Sequence, residues 1–346
     1  MRDGILPSVV RNRMKGLKMK RREFLAATAV AGVAAVCGTQ RAVAQGAAQA
    51  DNGMPKLTPP EKQAKLNLCL QWGMIPGGEM KQKLDFLEAN GYQAVEIQTG
   101  DWLLKEGEKL SKEMEGRKLF IATACGGSQF DYIEQDKRDA EVAKFLPQLE
   151  VLGMLMSPGL IICPARGMGD RKIEATGEVI KAEALWMNMR ALRKDFVENT
   201  GKRLAEHALK HGTSIVLEPL RRGETPFLRQ VLDGAVMARD INSQIGGTGA
   251  TVMGDFWHME QEEYEFFGPF AGAGKLLTHV HIASLRKRQI PGVDGDADNY
   301  VAGFKGLKFI GYQGAVSLEG GVPKDANKEE LLANMVKLLR EQWAMA

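Results

Sequence analysis

Four short apolar runs each carry a side chain able to hold a divalent cation: VLEPL (216–220) carries Glu218, VMGDFWHM (252–259) carries Asp255, HVHIAS (279–284) carries His281, and VSLEGG (316–321) carries Glu319. A lone acid at the end of an apolar run is ordinarily a cap or half of an ion pair. Four in successive runs reinforce one another, because an unpaired charge in apolar surroundings is costly. Three carboxylates and one imidazole suit a single hard to borderline ion, Mn²⁺, Mg²⁺ or Co²⁺, over a structural zinc. An enzyme is the first expectation.

The elements that would position these residues repeat along the chain. LNLCLQW (66–72), AVEIQTG (94–100), LFIATACGG (119–127), GLIICPARG (159–167), TSIVLEPL (213–220), TVMGDFWHM (251–259), LTHVHIAS (277–284) and AVSLEGG (315–321) read as eight strands. Several are near-continuous apolar runs, the signature of strands covered on both faces. Helical periodicity fills the gaps at 79–90, 131–154, 186–211, 226–242 and 328–343. Eight such units in about 280 residues predict an α/β chain forming one (β/α)8 barrel over 66–346, with a doubly wound open sheet as the alternative. In a barrel, residues at the C-terminal strand ends converge on one mouth, and all four ligand candidates sit there.

Of the 346 residues 44% are hydrophobic, ample for one large core. The net charge of +3 conceals an asymmetry: residues 1–44 carry nine Lys/Arg against two acids, leaving 37 basic and 41 acidic residues, a net of −4, beyond them. A mildly acidic body gives no support to a nucleic-acid partner. The basic excess belongs to MKRREFLAATAVAGVAAV, where Arg21 and Arg22 precede a weakly apolar stretch too short for a comfortable membrane span, followed by Ala42-Val43-Ala44. This resembles a twin-arginine export signal, so 1–44 is expected to be removed, 45–65 to be a linker, and the mature protein to be periplasmic or otherwise exported, with the twin-arginine machinery as a partner and no stable membrane association afterwards. Cys69, Cys125 and Cys163 have no CxxC spacing and are read as reduced packing residues.

The ligand runs carry further motifs. EPLRRGE places Glu224 six residues after Glu218, Asp255 and His258 form a D-x-x-H pair, and His279-x-His281 is followed by Arg288, Pro291 and Gly292. On these residues, 66–346 resembles the xylose-isomerase-like TIM-barrel superfamily of sugar isomerases and epimerases, with the ketose 3-epimerases and hydroxypyruvate isomerases nearest by motif. The resemblance implies one divalent metal on Glu218, Asp255, His281 and Glu319, with Glu218 and Glu319 also the acid/base pair. His258, Arg288 and Glu224 would hold substrate oxygens. One residue more than the family pattern stands between His281 and Pro291, so Arg286 competes with Arg288. The implied activity is isomerisation or epimerisation of a ketose or related keto-sugar through an enediolate, which a metal across the carbonyl and neighbouring hydroxyl would stabilise. The alternatives are a metal-dependent lyase or dehydratase of a keto-inositol or keto-glycoside, and an exported sugar-binding protein without activity.

Other residues carry broader expectations. Glu96, ending the second strand, either reaches the substrate or pairs with a neighbouring Arg. Trp72 and Trp257 offer an apolar wall to a sugar, whereas Phe256 is expected in the core. His207 and His211, one helical turn apart, have spacing that permits a metal, and an exposed helix face beside Lys210 is the plainer reading. The stretch 165–186 is long for a βα loop and reads as a lid. A three-metal nuclease site needs early histidines, and no His precedes His207; a Schiff-base aldolase needs a strand-end Lys, which none of the eight runs supplies. Outside the cytoplasm phosphorylated sugars are scarce, which favours an unphosphorylated substrate. A homo-oligomer is compatible with the sequence.

Overall fold

The computed structural model describes residues 62–126, 135–164, 171–172, 179–180 and 189–346. The expected export signal, most of the linker and most of 165–186 lie outside the described residues. In chain order the elements are β1 (Asn67–Gln71), α1 (Met80–Ala89), β2 (Ala94–Gln98), α2 (Asp101–Glu113), β3 (Phe120–Cys125), α3 (Gln135–Met154), β4 (Gly159–Ile162), β5 (Arg171–Lys172), β6 (Val179–Ile180), α4 (Met189–Asp195), α5 (Gly201–His211), β7 (Ser214–Leu217), α6 (Val231–Ile245), β8 (Ala250–Asp255), α7 (Phe256–Glu262), α8 (Phe267–Ala273), β9 (Leu277–Ile282), α9 (Val301–Phe309), β10 (Ala315–Leu318) and α10 (Lys328–Met345).

Eight of these strands close on themselves in the order β1-β10-β9-β8-β7-β4-β3-β2, every pair parallel. The chain is a (β/α)8 TIM barrel, and the open doubly wound sheet is excluded because β1 pairs with both β2 and β10. β5 and β6 form a separate antiparallel hairpin, so the part of 165–186 that the structure describes has strand structure of its own.

Side-chain alternation explains how the barrel is filled. In β1, Leu68 and Leu70 point to the helix-facing core, while Cys69 joins Ala94, Ala122 and Ala315 around Phe120 inside the barrel. Small residues leave room there for the polar side chains above them. The helices are set by local signals. Glu79 and Gln82 form a capping box at the start of α1, which buries Met80, Leu84 and Leu87. Asn327 accepts hydrogen bonds from the backbone N–H groups of Glu329 and Glu330 at the start of α10.

The run at 251–259 differs from the strand expected. β8 ends at Asp255, whose carboxylate accepts from Trp257 N at 2.8 Å and so caps α7. Phe256 is therefore the first residue of a helix, and it is buried for a reason other than strand alternation. Its ring meets those of Phe266, Phe270, Tyr300 and Phe304 at centroid distances of 5.0 to 6.1 Å. This cluster pins α7, and with it Asp255, against α8 and α9. Phe256→Ala should lower unfolding stability by about 3–5 kcal/mol, as read from denaturant midpoints; a loss within measurement error would show that the cluster does not hold α7.

Candidate metal centre and active site

Barrel closure brings the four ligand candidates together. Glu218 and Glu319 directly follow β7 and β10, and their N–H groups extend the ladder by donating to Ile162 O (2.9 Å) and Ile282 O (3.1 Å). Asp255 ends β8 and stands opposite His281 of β9 in the register. One ligand atom from each of the four lies within 4.8 Å of the others. Glu218, Asp255 and His281 are buried, whereas the Glu319 side chain is 25% exposed. Glu319 therefore marks the open side of the site.

The donor set fits a cation. His281 Nδ1 is buried and makes no hydrogen bond, although it lies 2.9 Å from Glu319 Oε2 and 3.6 Å from Glu218 Oε1. Its other nitrogen, Nε2, is 2.9 and 3.1 Å from the two oxygens of Glu96. With Nε2–H donating to Glu96, Nδ1 faces the carboxylates, an approach that needs either a proton on Nδ1 or a cation between the groups. Burial by itself would lower the His281 pKa, but Glu96 and Glu319 override it and hold the imidazole well above its usual value. Burial raises Asp255. Glu319 is held down to about 2: burial opposes ionisation, but His281 and Arg288 outweigh it. This is a site arranged for positive charge, and Glu218, Asp255, His281 and Glu319 are the residues that would hold a divalent ion.

Glu96 pairs with no arginine among the described residues, and it is 1% exposed inside the barrel. Its oxygens are shared among His279 Nε2 (2.6 Å), His281, Gln71 Nε2 (2.8 Å) and Thr123 Oγ1 (3.2 Å). Burial by itself would raise Glu96, yet His281 and His279 keep it well below the usual carboxylate range. In this arrangement it holds His281 from below. His279, for which no role was expected, belongs to the same network. Two residues before His281 on β9, it points to the same side of the strand.

The second layer comes from loops and α7. His258 Nδ1 accepts from Arg221 N at 3.2 Å, so Nε2 carries the proton of the neutral ring; it lies 3.6 Å from Asp255 Oδ2. Of the two competing arginines, Arg288 is the one at the site. Its Nη2 donates to Glu319 Oε2 (2.9 Å) and Asp255 Oδ2 (3.4 Å), and its Nη1 is 3.8 Å from Glu224 Oε1. Arg286 instead lies on the exposed side, where its backbone N–H donates to Asp294. Arg288 takes a left-handed φ of 52°, uncommon for a side chain with a Cβ. The Asp298 carboxylate holds this loop by accepting from Leu285 N and Gly292 N. Gly320 gives it room, since a Cβ there would lie 2.8 Å from Gln289 O.

Three further contacts were not legible in the sequence. The Cys163 thiol donates to Glu218 Oε2 at 3.0 Å. Trp257 serves as a platform, with the guanidiniums of Arg288 and Arg221 4.5 and 4.7 Å from its ring centroid. Glu262 at the end of α7 accepts from both the backbone and the side chain of Arg222, tying the loop after β7 to α7. Trp72 forms a 3-10 turn just after β1, its ring packed on Trp102 at 5.0 Å.

Comparison with known proteins agrees with this architecture. The family described as "Xylose isomerase-like TIM barrel" matches residues 84–342, and the chain belongs to that family. It is 26% identical over 261 residues to the 3-dehydro-D-guloside 4-epimerase of Escherichia coli (strain K12), covering 72% of this chain and 92% of that one. It is 28% identical over 142 residues to the ketose 3-epimerase of Arthrobacter globiformis, 41% of this chain and 46% of the other. Among solved structures, the apo form of the E. coli 3-keto-D-glucoside 4-epimerase superposes with a TM-score of 0.66 at 23% identity, over 80% of this chain and all of that one.

Glu96→Gln keeps the size of the side chain but removes the charge beneath His281. It should weaken Mn²⁺ retention roughly 10- to 100-fold with an unchanged circular dichroism spectrum. Unaltered metal affinity would mean that His281 is oriented without Glu96.

Proposed function

We propose that this protein is a divalent-metal-dependent sugar epimerase acting on a keto-sugar or keto-glycoside through an enediolate, with Glu218 and Glu319 as its acid/base pair. The observation that carries this reading is the placement of those two carboxylates. They come from the ends of β7 and β10, which are separated by the two strands that carry Asp255 and His281, and both approach His281 Nδ1. Inverting a carbon beside a carbonyl needs a base to remove its proton and an acid to return one from the other face. The family membership and the named activities of the relatives support the same class. The glycoside 4-epimerase covers more of this chain than the ketose 3-epimerase does, which favours a keto-glycoside over a free ketose.

When bound, a divalent ion (Mn²⁺, Mg²⁺ or Co²⁺) supplies Lewis-acid stabilisation to negative charge on the substrate oxygens. The side chains supply the rest. Glu319 is held ionised by His281 and Arg288, the protonation state a general base starts from. The Cys163 thiol occupies one oxygen of Glu218, leaving the other toward the site. His258, with its proton on Nε2, and Arg288 can donate to the carbonyl and hydroxyl oxygens, and Glu224 orients Arg288. The guanidiniums of Arg221, Arg222 and Arg288 are already paired with Glu224, Glu262 and Glu319, an arrangement that suits an uncharged sugar. The pair Arg21-Arg22 and the segment up to Ala44 support export by the twin-arginine route.

Incubation of the Mn²⁺-loaded protein with a panel of 3-keto-glycosides and ketoses in D₂O should place deuterium on the carbon beside the carbonyl. Absence of exchange across the panel would exclude the enediolate reading. Glu319→Gln should lower kcat by about 10²–10⁴ with the fold intact, and an unchanged kcat would remove Glu319 from the acid/base pair. For export, the mature chain should begin at Gln45, and lysine at both 21 and 22 should leave uncleaved precursor in the cytoplasm; normal processing of that variant would refute the route.

A further inference from the structure

A second group of metal-ligating side chains lies outside the barrel, on α3 and α5: Glu150, His207 and His211, each offering a ligand atom within 4.8 Å of the others. From it we infer that this protein carries an outer zinc site, separate from the inner centre, that ties α3 to α5.

The geometry comes from the two helices. His207 and His211 are four residues apart on α5 and so share a face; their rings are 4.7 Å apart with 38° between planes. His207 Nε2 lies 3.2 Å from Glu150 Oε1. Ligands 2.0–2.2 Å from a zinc ion are roughly 3–3.5 Å from one another in tetrahedral geometry, so that pair already has the required separation, and a ring nitrogen of His211 lies within 4.8 Å of both. The helices approach closely for a visible reason. One turn beyond Glu150, a Cβ on Gly153 would lie 2.4 Å from His211 O and 2.9 Å from His211 Cβ, so only glycine lets α3 come near enough to place Glu150 against His207. The side chains of His207 and Glu150 are 22% and 51% exposed, which gives an ion a path from solvent and a water the fourth position.

Donor chemistry separates the two sites. Two imidazoles and one carboxylate favour Zn²⁺ over Mn²⁺ or Mg²⁺, whereas the inner set of three carboxylates and one imidazole suits the harder ions. Position separates them as well. Glu150 and His211 lie in the last turns of helices that lead into β4 and β7, and so at the N-terminal end of the barrel, where structure supports stability rather than chemistry. The outer ion therefore acts as a clamp.

The test compares the full-length protein with its His207→Ala and His211→Ala variants, each equilibrated in low-micromolar free Zn²⁺. The parent should retain one more equivalent of zinc than either variant, and only the parent should show a zinc-dependent rise of a few degrees in Tm. Turnover of all three Mn²⁺-loaded proteins should be the same. Glu150→Gln should lose the visible absorption of a four-coordinate Co²⁺ ion held there. Equal zinc content and equal thermal response in parent and histidine variants would overturn the inference. If instead the inner centre binds no metal, the parent would hold only the outer equivalent, and His207→Ala would still remove it.

Discussion

The constraint on which this structure depends is the burial of negative charge at the barrel mouth. Glu96, Glu218, Asp255 and Glu319 converge on one imidazole, and three of the four are almost fully shielded from water. Ionised carboxylates are not tolerated in such surroundings without compensation. Fully ionised they total −4, and Arg288 supplies +1, leaving −3. The raised Asp255 and the lowered Glu319 show how the protein alone distributes that imbalance. A divalent ion held by a neutral His281 would offset two of those charges in place of a proton on the ring, so the donor set and the charge balance point the same way.

The division of labour between strands and loops follows from that constraint. A cluster of like charges tolerates little displacement, so its members are fixed on ladder positions or directly beyond them, where neighbouring strands dictate the backbone. His258, Glu224 and Arg288, the proposed substrate contacts, are carried by a short helix and two loops. Those segments are in turn held by buried acids: Asp298 accepts backbone N–H groups around Arg288, and Glu262 holds Arg222. Trp257 joins the two loops by receiving a guanidinium from each.

Much of this was legible in the residue order, and the exceptions have physical causes. Eight apolar runs at regular spacing define the barrel, and residues late in those runs reach its mouth, so Glu218, Asp255, His281 and Glu319 could be chosen together. The end of β8 was not legible, because FWHM continues the apolar pattern and only the side-chain cap of Asp255 turns the backbone into a helix. The partners of Glu96 were not legible because they are 183 and 185 residues away, and only barrel closure makes His279 and His281 its neighbours. The Cys163 contact with Glu218 is hidden in the same way: a cysteine in an apolar run looks like packing until the adjacent strand is known. Arg288 over Arg286 was decided by a left-handed residue that no propensity predicts.

The two metal-ligating groups apply the same rule at opposite ends of the barrel. Inside, strand pairing sets the separation of the donors, carboxylates dominate, and the donors are buried except on the side that Glu319 opens. Outside, two donors follow from helical periodicity and the third from helix packing, with Gly153 setting how near α3 comes to α5. The inner set needs a cation to relieve buried charge; the outer set has no such debt, because exposed side chains remain solvated. An ion at the mouth would therefore be bound mainly by electrostatic demand, and one on the helices by ligand preference for imidazole, so the two proposed sites would favour different metals within one chain.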